Sequence, residues 1–446
     1  MRRYVIIGTG VAGIAAAEAI REVDPQGHIL LIGDEPDGYY SRPGLAYYLT
    51  GEIPEKQLFP FRAEDFRRLR VTLWHDRVMA IDPREHRLKL QRRREPLLYD
   101  RLLLATGSTA VRPDLPGVEL QGVVKLDTLP DARRIRQLAR KAKAAVVMGG
   151  GITALEIVEG LLHHKVQVHY LLRGERYWRR VLDETESRVV EKRLEAHGVR
   201  LHYRTQVAEI MGRRGRVTGV RTTDGRVIPC QIVAVAVGVR PNVALARRAG
   251  LRTERGILVD ERMRTSDEDI FAAGDVAQVY DPRVGHAVLD VLWPVARRQG
   301  QVAGYNMAGW TTRYRRGTPL NVTRLAGLTT TIVGQVGQPT RGEQDDLVGI
   351  IRGDSEVWRS IPDAIIAQEG FSVNRLRLMV GKRTLLGAVL MGDQTLSRPL
   401  YHLIDAQADI TPIRERLIRG REPVAEVLAE FWTQWSRQHG TQKSKS

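Results

Sequence analysis

One short segment near the beginning of the chain restricts the fold more than any other feature. A predicted strand at 4–7 leads into Gly8-Thr9-Gly10-Val11-Ala12-Gly13, which is followed by a predicted helix at 14–22 and a second strand at 29–32. Between a strand and a helix, the first glycine turns the chain, the second lets the backbone approach a pyrophosphate, and the third lets the helix pack on the strand. The segment therefore predicts a dinucleotide-binding βαβ unit with the phosphates at the helix N-terminus.

Two acidic residues, Asp34 and Glu35, close the second strand of this unit. Asp34 lies 21 residues beyond Gly13. A carboxylate at about this spacing accepts hydrogen bonds from ribose hydroxyls in dinucleotide-binding folds. We predict that both acids bind the cofactor, together with Gly8, Gly10, Val11, Ala12 and Gly13. The alternative is a glycine-rich turn that binds no ligand.

The same pattern returns in the middle of the chain. A strand at 145–148 leads into Gly149-Gly150-Gly151-Ile152-Thr153-Ala154, followed by a helix that ends at Leu162 and a strand at 167–172. Alanine is an accepted third small residue in this pattern. The residues predicted to bind a second nucleotide are Gly149, Gly151, Ile152, Thr153 and Ala154. Two bound nucleotides imply electron transfer between them.

The residue placed to meet the ribose differs between the two units. In the second unit Arg173 falls 19 residues beyond Ala154, and Arg176 and Arg179 follow. A cation at this place suits a 2′-phosphate, so Arg173 and Arg179 are predicted to bind the cofactor and NADPH is modestly favoured over NADH. Glu175 keeps NADH open, and solvated surface arginines are the alternative interpretation.

Two further loops follow predicted strands. Ala105-Thr106-Gly107 follows an apolar strand at 101–104, and Gly274-Asp275 follows one at 270–273. A carboxylate beside a glycine that permits close backbone approach is suited to bind a sugar hydroxyl. Taken alone, each loop would be an ordinary turn.

Five motifs in order resemble the FAD-dependent pyridine nucleotide-disulfide oxidoreductase superfamily over about residues 1–310. They are the two glycine loops, the loop at 105–107, Gly238-Val239-Arg240-Pro241-Asn242 and the segment 270–275. The resemblance implies that the first glycine loop holds the ADP half of FAD, that Ala105, Thr106 and Gly107 lie along the flavin nucleotide, and that Asp275, beside Gly274, meets the ribityl chain. It also implies that the inserted unit, with Gly238, holds the nicotinamide nucleotide, and that Glu156 lies near the flavin–nicotinamide contact.

The cysteine content separates this chain from the reactions for which that superfamily is named. Cys230 is the one cysteine in 446 residues, so no Cys-x-x-Cys pair, intramolecular disulfide or thiolate zinc site can form. Where some members carry a reactive thiol after the second strand, this chain has Pro43. We therefore expect neither a thiol relay nor a metal site, and Cys230 is predicted to be a buried apolar residue.

Tyr40-Ser41-Arg42-Pro43 resembles the ferredoxin and rubredoxin reductase branch and the flavoprotein part of NAD(P)H nitrite reductases. That branch usually carries Arg-Pro-x-Leu-Ser-Lys, but here Ala46 and Tyr47 stand in place of the serine and the lysine. Arg42 or Tyr47 is the hypothesised substitute for the lysine as the partner of Glu156, and these three are the predicted catalytic residues. Arg42 is also predicted to bind the cofactor. The segment that contains Trp293 resembles the segment of that branch under the flavin ring, so Trp293 is also predicted to bind the cofactor. The alternative interpretation is that Trp293 packs in the core.

The motifs predict an α/β protein with two Rossmann-like dinucleotide-binding domains, for FAD and NAD(P), plus a smaller α+β C-terminal domain. The expected limits are 1–115 and 245–312 for the FAD-binding domain, 116–244 for the NAD(P)-binding domain and 313–446 for the C-terminal domain. A terminal amphipathic helix at 422–438 carries an apolar stripe made of Val424, Val427, Leu428, Phe431, Trp432 and Trp435. The stripe favours core packing or a subunit interface, and it leaves a membrane-surface role open.

The formal net charge of +17 concentrates anions around the chain. Nucleic acid, an anionic membrane surface and acidic proteins would all respond to this charge, and a compositional bias of the source is the alternative. No helix-turn-helix, zinc finger or aromatic-interleaved RNA motif occurs in the sequence, which argues against nucleic acid. No stretch of about 20 apolar residues could span a bilayer, so a cytoplasmic protein is expected.

The predicted function is FAD-dependent oxidation of NADPH or NADH. Hydride would pass from the nicotinamide to flavin N5, and the electrons would then reach an acceptor without a thiol relay. An acidic iron–sulfur or rubredoxin-like carrier fits the positive charge, with quinone or oxygen as the alternative acceptor. A basic binding flavoprotein of the apoptosis-inducing factor type is the alternative from another functional class. The oligomeric state is left open by the sequence.

Overall fold

The computed structural model describes residues 1–282, 285–336, 374–419 and 421–439, and the backbone of 347–353. The chain forms two compact units. The first comprises Met1–Arg173 and Val199–Arg316, and the second comprises Gly174–Gly198 and Gly317–Ser446. The segment Gly174–Gly198 therefore groups with the C-terminal part of the chain.

The strands, in chain order, are β1 (Arg3–Ile7), β2 (His28–Gly33), β3 (Val71–His75), β4 (Val78–Asp82), β5 (Arg87–Leu90), β6 (Leu97–Leu98), β7 (Arg101–Leu104), β8 (Ser108–Ala110), β9 (Val123–Val124), β10 (Ala144–Met148), β11 (Gln167–Leu172), β12 (Arg200–Tyr203), β13 (Val207–Arg213), β14 (Arg216–Thr222), β15 (Val227–Pro229), β16 (Ile232–Val235), β17 (Val239–Pro241), β18 (Ile257–Val259), β19 (Ile270–Ala272), β20 (Ala277–Asp281), β21 (His286–Val288), β22 (Leu320–Leu325), β23 (Leu328–Gly334), β24 (Leu347–Gly353), β25 (Arg375–Gly381) and β26 (Leu385–Met391). The α-helices are α1 (Val11–Val23), α2 (Gly44–Leu49), α3 (Ala63–Leu69), α4 (Leu129–Ala139), α5 (Ile152–His163), α6 (Glu184–Ala196), α7 (Ala244–Arg248), α8 (Trp293–Ala308), α9 (Ser397–Asp405), α10 (Thr411–Arg419) and α11 (Val424–His439).

Two parallel five-stranded sheets form the framework of the first unit. One has the order β19-β7-β1-β2-β3, and Val5 in its centre pairs with Leu30 on one side and Leu102 on the other. The other has the order β12-β11-β10-β16-β9. The central strands are near-continuous apolar runs, as expected where both faces of a parallel sheet are covered. In both sheets the strand that leads into a glycine loop, β1 or β10, lies in the centre.

This arrangement confirms the predicted α/β class with two Rossmann-like sheets. The first compact unit contains both sheets, so the expected limits at 115/116 and 244/245 stay predictions. A small antiparallel sheet, β13-β14-β15, follows β12, and a two-stranded sheet pairs β8 with β17.

The second unit is built on an antiparallel sheet with the order β22-β23-β26-β25-β24. Its core joins side chains of the sheet, such as Val333 and Leu390, to side chains of α9, α10 and α11. The β22–β23 and β25–β26 hairpins supply four of its five strands.

The apolar stripe of the terminal helix contributes to this core. Val424, Val427, Leu428 and Phe431 are buried in it, and Trp432 and Trp435 are partly buried and stack on each other at 5.7 Å. Of the three roles that the sequence left open, core packing accounts for the stripe. Among the described residues, no helix is both long and apolar enough to cross a bilayer.

Candidate functional site

The first glycine of each loop has a positive φ and lies against the backbone just beyond a neighbouring strand. Gly8 has φ +118°, and a Cβ there would lie 2.1 Å from the carbonyl oxygen of Ala105, just beyond β7. Gly149 has φ +136°, and its Cβ would lie 2.1 Å from the carbonyl oxygen of Ala236, just beyond β16. Any side chain at either position would collide with backbone, so both loops require glycine there.

Nothing in the protein itself requires glycine at the second glycine of each loop. A bound ligand that approaches the backbone closely would explain why glycine is present there. Gly10 has φ −77° and Gly151 has φ −111°, and a Cβ at either position would meet nothing within 4 Å. The space beside each helix start is therefore open, as close approach of a pyrophosphate demands.

The starts of α1 and α5 are also prepared for an anion. Neither helix has a side-chain cap or an acid in its first turn. By contrast, Thr128 caps α4 and Asp183 caps α6, each within a capping box. Free N–H groups at a helix start attract negative charge, so these two starts suit the phosphates of two nucleotides.

The remaining residues of the two glycine motifs lie in the first turns of the helices, and their binding of the cofactors stays a prediction. Val11 and Ala12 form the first turn of α1, and Ile152 and Thr153 form that of α5. The third small residue packs inside each unit: a Cβ on Gly13 would lie 2.1 Å from the Gly8 carbonyl oxygen, whereas Ala154 is accommodated and buried.

Asp34 and Glu35 directly follow β2, and each is already held by neighbouring groups. Arg77 Nε donates to Asp34 Oδ2 at 2.8 Å. Tyr40 donates its hydroxyl to Glu35 Oε2 at 2.5 Å, and Arg42 forms an ion pair with Glu35 Oε1. Protein groups therefore hold both carboxylates at the end of β2.

Arg42 links this strand end to the segment before α4. Besides pairing with Glu35, its guanidinium donates to the backbone carbonyl of Asp127 and lies 5.3 Å from the centre of the Tyr40 ring. Burial tends to lower the pKa of Arg42, but Tyr40, Glu35 and Asp127 outweigh it and raise the pKa. The Tyr40 hydroxyl in turn accepts the backbone N–H of Leu129.

Asn242, which directly follows β17, binds the loop at 105–107. Its Nδ2 donates to the Thr106 carbonyl at 2.8 Å, and its Oδ1 accepts from the Thr109 hydroxyl at 2.9 Å. The Asn242 N–H donates to the Gly107 carbonyl, and the Thr106 hydroxyl donates to the Asn242 carbonyl. These bonds hold Ala105, Thr106 and Gly107 rigidly beyond β7.

Asp275 follows Gly274 at the end of β19, in the same sheet as β7. Ser108 donates its hydroxyl to Asp275 Oδ2 at 2.8 Å. Burial raises the pKa of Asp275, and the bond from Ser108 and the charge of Arg42 partly offset that rise. Because Ser108 holds one carboxylate oxygen of Asp275, the other oxygen can accept a hydrogen bond from a sugar hydroxyl.

Glu156 lies near the start of α5 and is half-buried. Burial, assisted by the charge of Glu159, raises the pKa of Glu156 to about 7. Within the described part of the chain no ion pair to Glu156 is found. Tyr47 is 42% exposed on α2, a helix that packs against α5. The contacts of Arg42 lie with Glu35 and Asp127, so its predicted pairing with Glu156 stays a hypothesis.

The other predicted residues are more peripheral. Arg173 is exposed at the end of β11, whereas Arg179 is exposed in the second compact unit. Gly238 is exposed with φ +125°. Trp293 is the first residue of α8 and is 38% exposed, so it is not a core residue of the first unit.

The cysteine prediction is confirmed in its structural part. Cys230 is fully buried, and burial raises the pKa of its thiol to about 12. A thiol that stays protonated and inaccessible cannot act as a nucleophile. Among the described residues, no group of three or more His, Cys, Asp or Glu is arranged to hold a metal ion.

The profile of the family described as pyridine nucleotide-disulphide oxidoreductase matches residues 2–300. The chain belongs to this family. The resemblance drawn from the five motifs is therefore confirmed, and this pyridine nucleotide-disulphide oxidoreductase is an FAD-dependent enzyme that uses NAD(P)H.

Similar proteins carry several acceptor names. The oxidoreductase is 35% identical over 288 residues to the probable ferredoxin reductase CtmF of Castellaniella defragrans, covering 63% of this chain and 70% of that one. It is 33% identical over 314 residues to the CoA-dependent NAD(P)H sulfur oxidoreductase of Pyrococcus abyssi, covering 69% and 70%. The crystal structure of the ferredoxin reductase of the CYP199A2 system from Rhodopseudomonas palustris aligns with a TM-score of 0.81 at 27% identity, covering 94% of this chain and 97% of that one.

Sequence reasoning missed the residues of the oxidoreductase that support the predicted ones. Tyr40, Ser108, Asp127 and Asn242 were not assigned to the site, although Ser108 directly follows the predicted loop. Its position in the sequence was the available signal. Its partner Asp275 is 167 residues away, so the hydrogen bond itself has no local signature.

Proposed function

We propose that this chain oxidises NADPH or NADH and passes the electrons to an acidic one-electron carrier of iron–sulfur or rubredoxin type, with no thiol in between. Bound FAD would supply the redox chemistry, as an acceptor of hydride from the reduced nicotinamide and a donor of electrons to the carrier. The work of the chain is to bind both nucleotides, align them and set the polarity around them.

The observation that carries this proposal is the state of the thiol. Pro43 stands at the place of a reactive cysteine, and Cys230 is buried with its pKa raised to about 12. Because no thiolate is available to relay electrons, the acceptor has to receive them directly. This argument separates the chain from thiol-dependent reactions within the same family.

Four of the predicted site residues have a proposed task in this reaction. The open helix starts beside Gly10 and Gly151 would hold the two pyrophosphates, and Asp275 would accept a ribityl hydroxyl. Glu156 would face the nicotinamide side. Its half-buried, partly protonated carboxyl can accept or donate a hydrogen bond near neutral pH.

Two observations support an acidic protein carrier over a small acceptor. The net charge of +17 speeds encounter with acidic partners. CtmF and the Rhodopseudomonas enzyme are both named as ferredoxin reductases.

NADPH is favoured over NADH because Arg173 is exposed at the end of β11 and forms no ion pair among the described residues.

The test is anaerobic stopped-flow reduction of the holoenzyme by NADPH or NADH, followed by mixing with an acidic [2Fe–2S] ferredoxin, a rubredoxin, a quinone or oxygen. We expect rapid reduction of one of the two protein carriers, slowed by added salt because the encounter is electrostatic. Turnover with quinone or oxygen and with neither carrier would overturn the proposal.

A matched control addresses the absence of a relay. Cys230→Ala should reduce the carrier at the wild-type rate, and native enzyme treated with iodoacetamide should keep its activity. Loss of activity under alkylation without unfolding would contradict a thiol-free path. Salt-sensitive retention on nucleic acid with negligible turnover would instead support the binding flavoprotein.

A further inference from the structure

Ser108 lies directly beside the predicted FAD-binding loops, although it has no role in the proposed reaction. It begins β8, directly after the loop at 105–107, and pairs with Pro241 of β17. Its hydroxyl donates to Asp275 Oδ2 at 2.8 Å, and the bond joins two loops that leave neighbouring strands of one sheet. Ser108 is thus the direct partner of the carboxylate proposed to meet the ribityl chain.

The chemistry of that carboxylate makes the partner consequential. Burial favours the protonated form of Asp275, and the negative charge of Asp127 acts in the same direction. A hydroxyl that donates to the ionised form favours ionisation, as does the positive charge of Arg42. The hydrogen bond also fixes which oxygen is occupied, because Asp275 Oδ1 has no hydrogen bond from any described residue.

We infer that Ser108 is a positioning residue: it holds the Asp275 carboxylate so that its second oxygen accepts a hydrogen bond from a ribityl hydroxyl of FAD. This inference rests on the proposed function, in which Asp275 binds that chain. The role belongs to the serine hydroxyl and not to the strand that carries it.

The strand is anchored independently of that hydroxyl. Thr109, the next residue, donates to Asn242 Oδ1 at 2.9 Å, and the Asn242 side chain also binds the Thr106 carbonyl. Removing the Ser108 hydroxyl therefore leaves β8 attached. Ser266→Ala, at an exposed serine before β19, serves as the matched control because it also removes one serine hydroxyl.

The experiment measures FAD release from holoenzyme, followed by flavin fluorescence between about pH 5 and 8, with no nicotinamide or carrier present. Loss of one hydrogen bond to a charged group should make FAD release from Ser108→Ala about ten-fold faster. The acid limb of the release profile should also move to higher pH, because the carboxylate loses a group that favours its ionised form. Ser108→Thr keeps a hydroxyl and should restore both properties.

Two further variants complete the test. Ser266→Ala should behave as the wild type, and Asp275→Asn should lose the acid limb altogether. Unchanged release and an unchanged acid limb in Ser108→Ala would overturn the inference, as would an equal effect in Ser266→Ala. Unchanged release in Asp275→Asn would remove the premise about Asp275. Failure of the wild type to reduce a carrier would overturn the proposed function while leaving the FAD-release result intact.

Discussion

Arg377 Nε donates to Glu186 Oε1 at 2.8 Å, with both side chains almost fully buried in the second compact unit. The guanidinium also donates to the carbonyls of Val336 and Val181. Burial raises the pKa of Glu186, and the charge of Arg377 opposes that rise. One buried cation thus satisfies a carboxylate and two carbonyl groups at once.

Replacing Arg377 should therefore destabilise this unit strongly. Arg377→Met leaves Glu186 buried without its cation, and we expect a loss of about 3 to 5 kcal/mol in the free energy of unfolding, measured with urea. Adding Glu186→Gln should recover part of it, because the amide still accepts the Asp183 N–H of the capping box. Arg383→Ala, in an exposed pair with Asp409, should leave stability unchanged. A loss no larger in Arg377→Met than in Arg383→Ala would show that the buried pair is not stabilising.

Gly10 and Gly151 allow the binding of each nucleotide to be weakened separately. The folded chain accommodates alanine at Gly10 and Gly151, since neither needs a positive φ and neither Cβ would touch protein. Gly10→Ala should release FAD about ten-fold faster or more at unchanged apoprotein stability. Gly151→Ala should raise the KM for the nicotinamide nucleotide by a similar factor and leave FAD release unchanged. An equal effect of both variants on both ligands would contradict separate sites.

The fold and these loops were predictable because their determinants are local. Gly8, Gly10 and Gly13 lie within six residues, and the strand and helix around them are strongly apolar. The supporting contacts were not predictable for the opposite reason. Ser108 and Asp275 are 167 residues apart, and Arg377 and Glu186 are 191 residues apart, so only the tertiary fold brings each pair together. Local spacing likewise could not show that Arg42 binds Glu35 and the Asp127 carbonyl.

Arg173 offers a test of nucleotide preference. If its exposed guanidinium meets a 2′-phosphate, Arg173→Ser should lower kcat/KM for NADPH about ten-fold and leave that for NADH nearly unchanged. Arg213→Ser, which removes another exposed arginine at the end of β13, should affect neither nucleotide. The ratio of kcat/KM values for the two nucleotides is the measurement, and a ratio unmoved by Arg173→Ser would remove the argument for NADPH.

Glu156 should make the protein less stable as pH rises. Its ordinary pKa of 4.5 is raised to about 7, so the folded state disfavours the ionised carboxyl. Stability from this group is complete below about pH 4.5 and is lost as pH rises through about 7. The thermal unfolding midpoint of Glu156→Gln should therefore exceed that of the wild type increasingly from about pH 5 to 8. Glu159→Gln should shift this dependence without abolishing it, and a constant difference between Glu156→Gln and the wild type would contradict the raised pKa.

A histidine pair should produce the opposite dependence. His169 Nδ1 and His202 Nε2 are 3.0 Å apart on the adjacent strands β11 and β12, with the rings stacked. Burial lowers the pKa of both histidines. At His169 the charge of His202 lowers the pKa further. At His202 the charges of Arg226 and Arg200 lower the pKa further, and the charge of Asp224 partly opposes them.

Because both folded pKa values lie below the ordinary 6.5, the unfolded chain binds protons first as pH falls. Stability from the pair is present above about pH 6.5 and should be lost progressively below it. His202→Gln should flatten the fall of the unfolding midpoint between about pH 7 and 5, whereas His28→Gln, at an exposed position of β2, should keep the wild-type slope. A slope in His202→Gln equal to that of the wild type would assign the acid sensitivity to groups other than this pair.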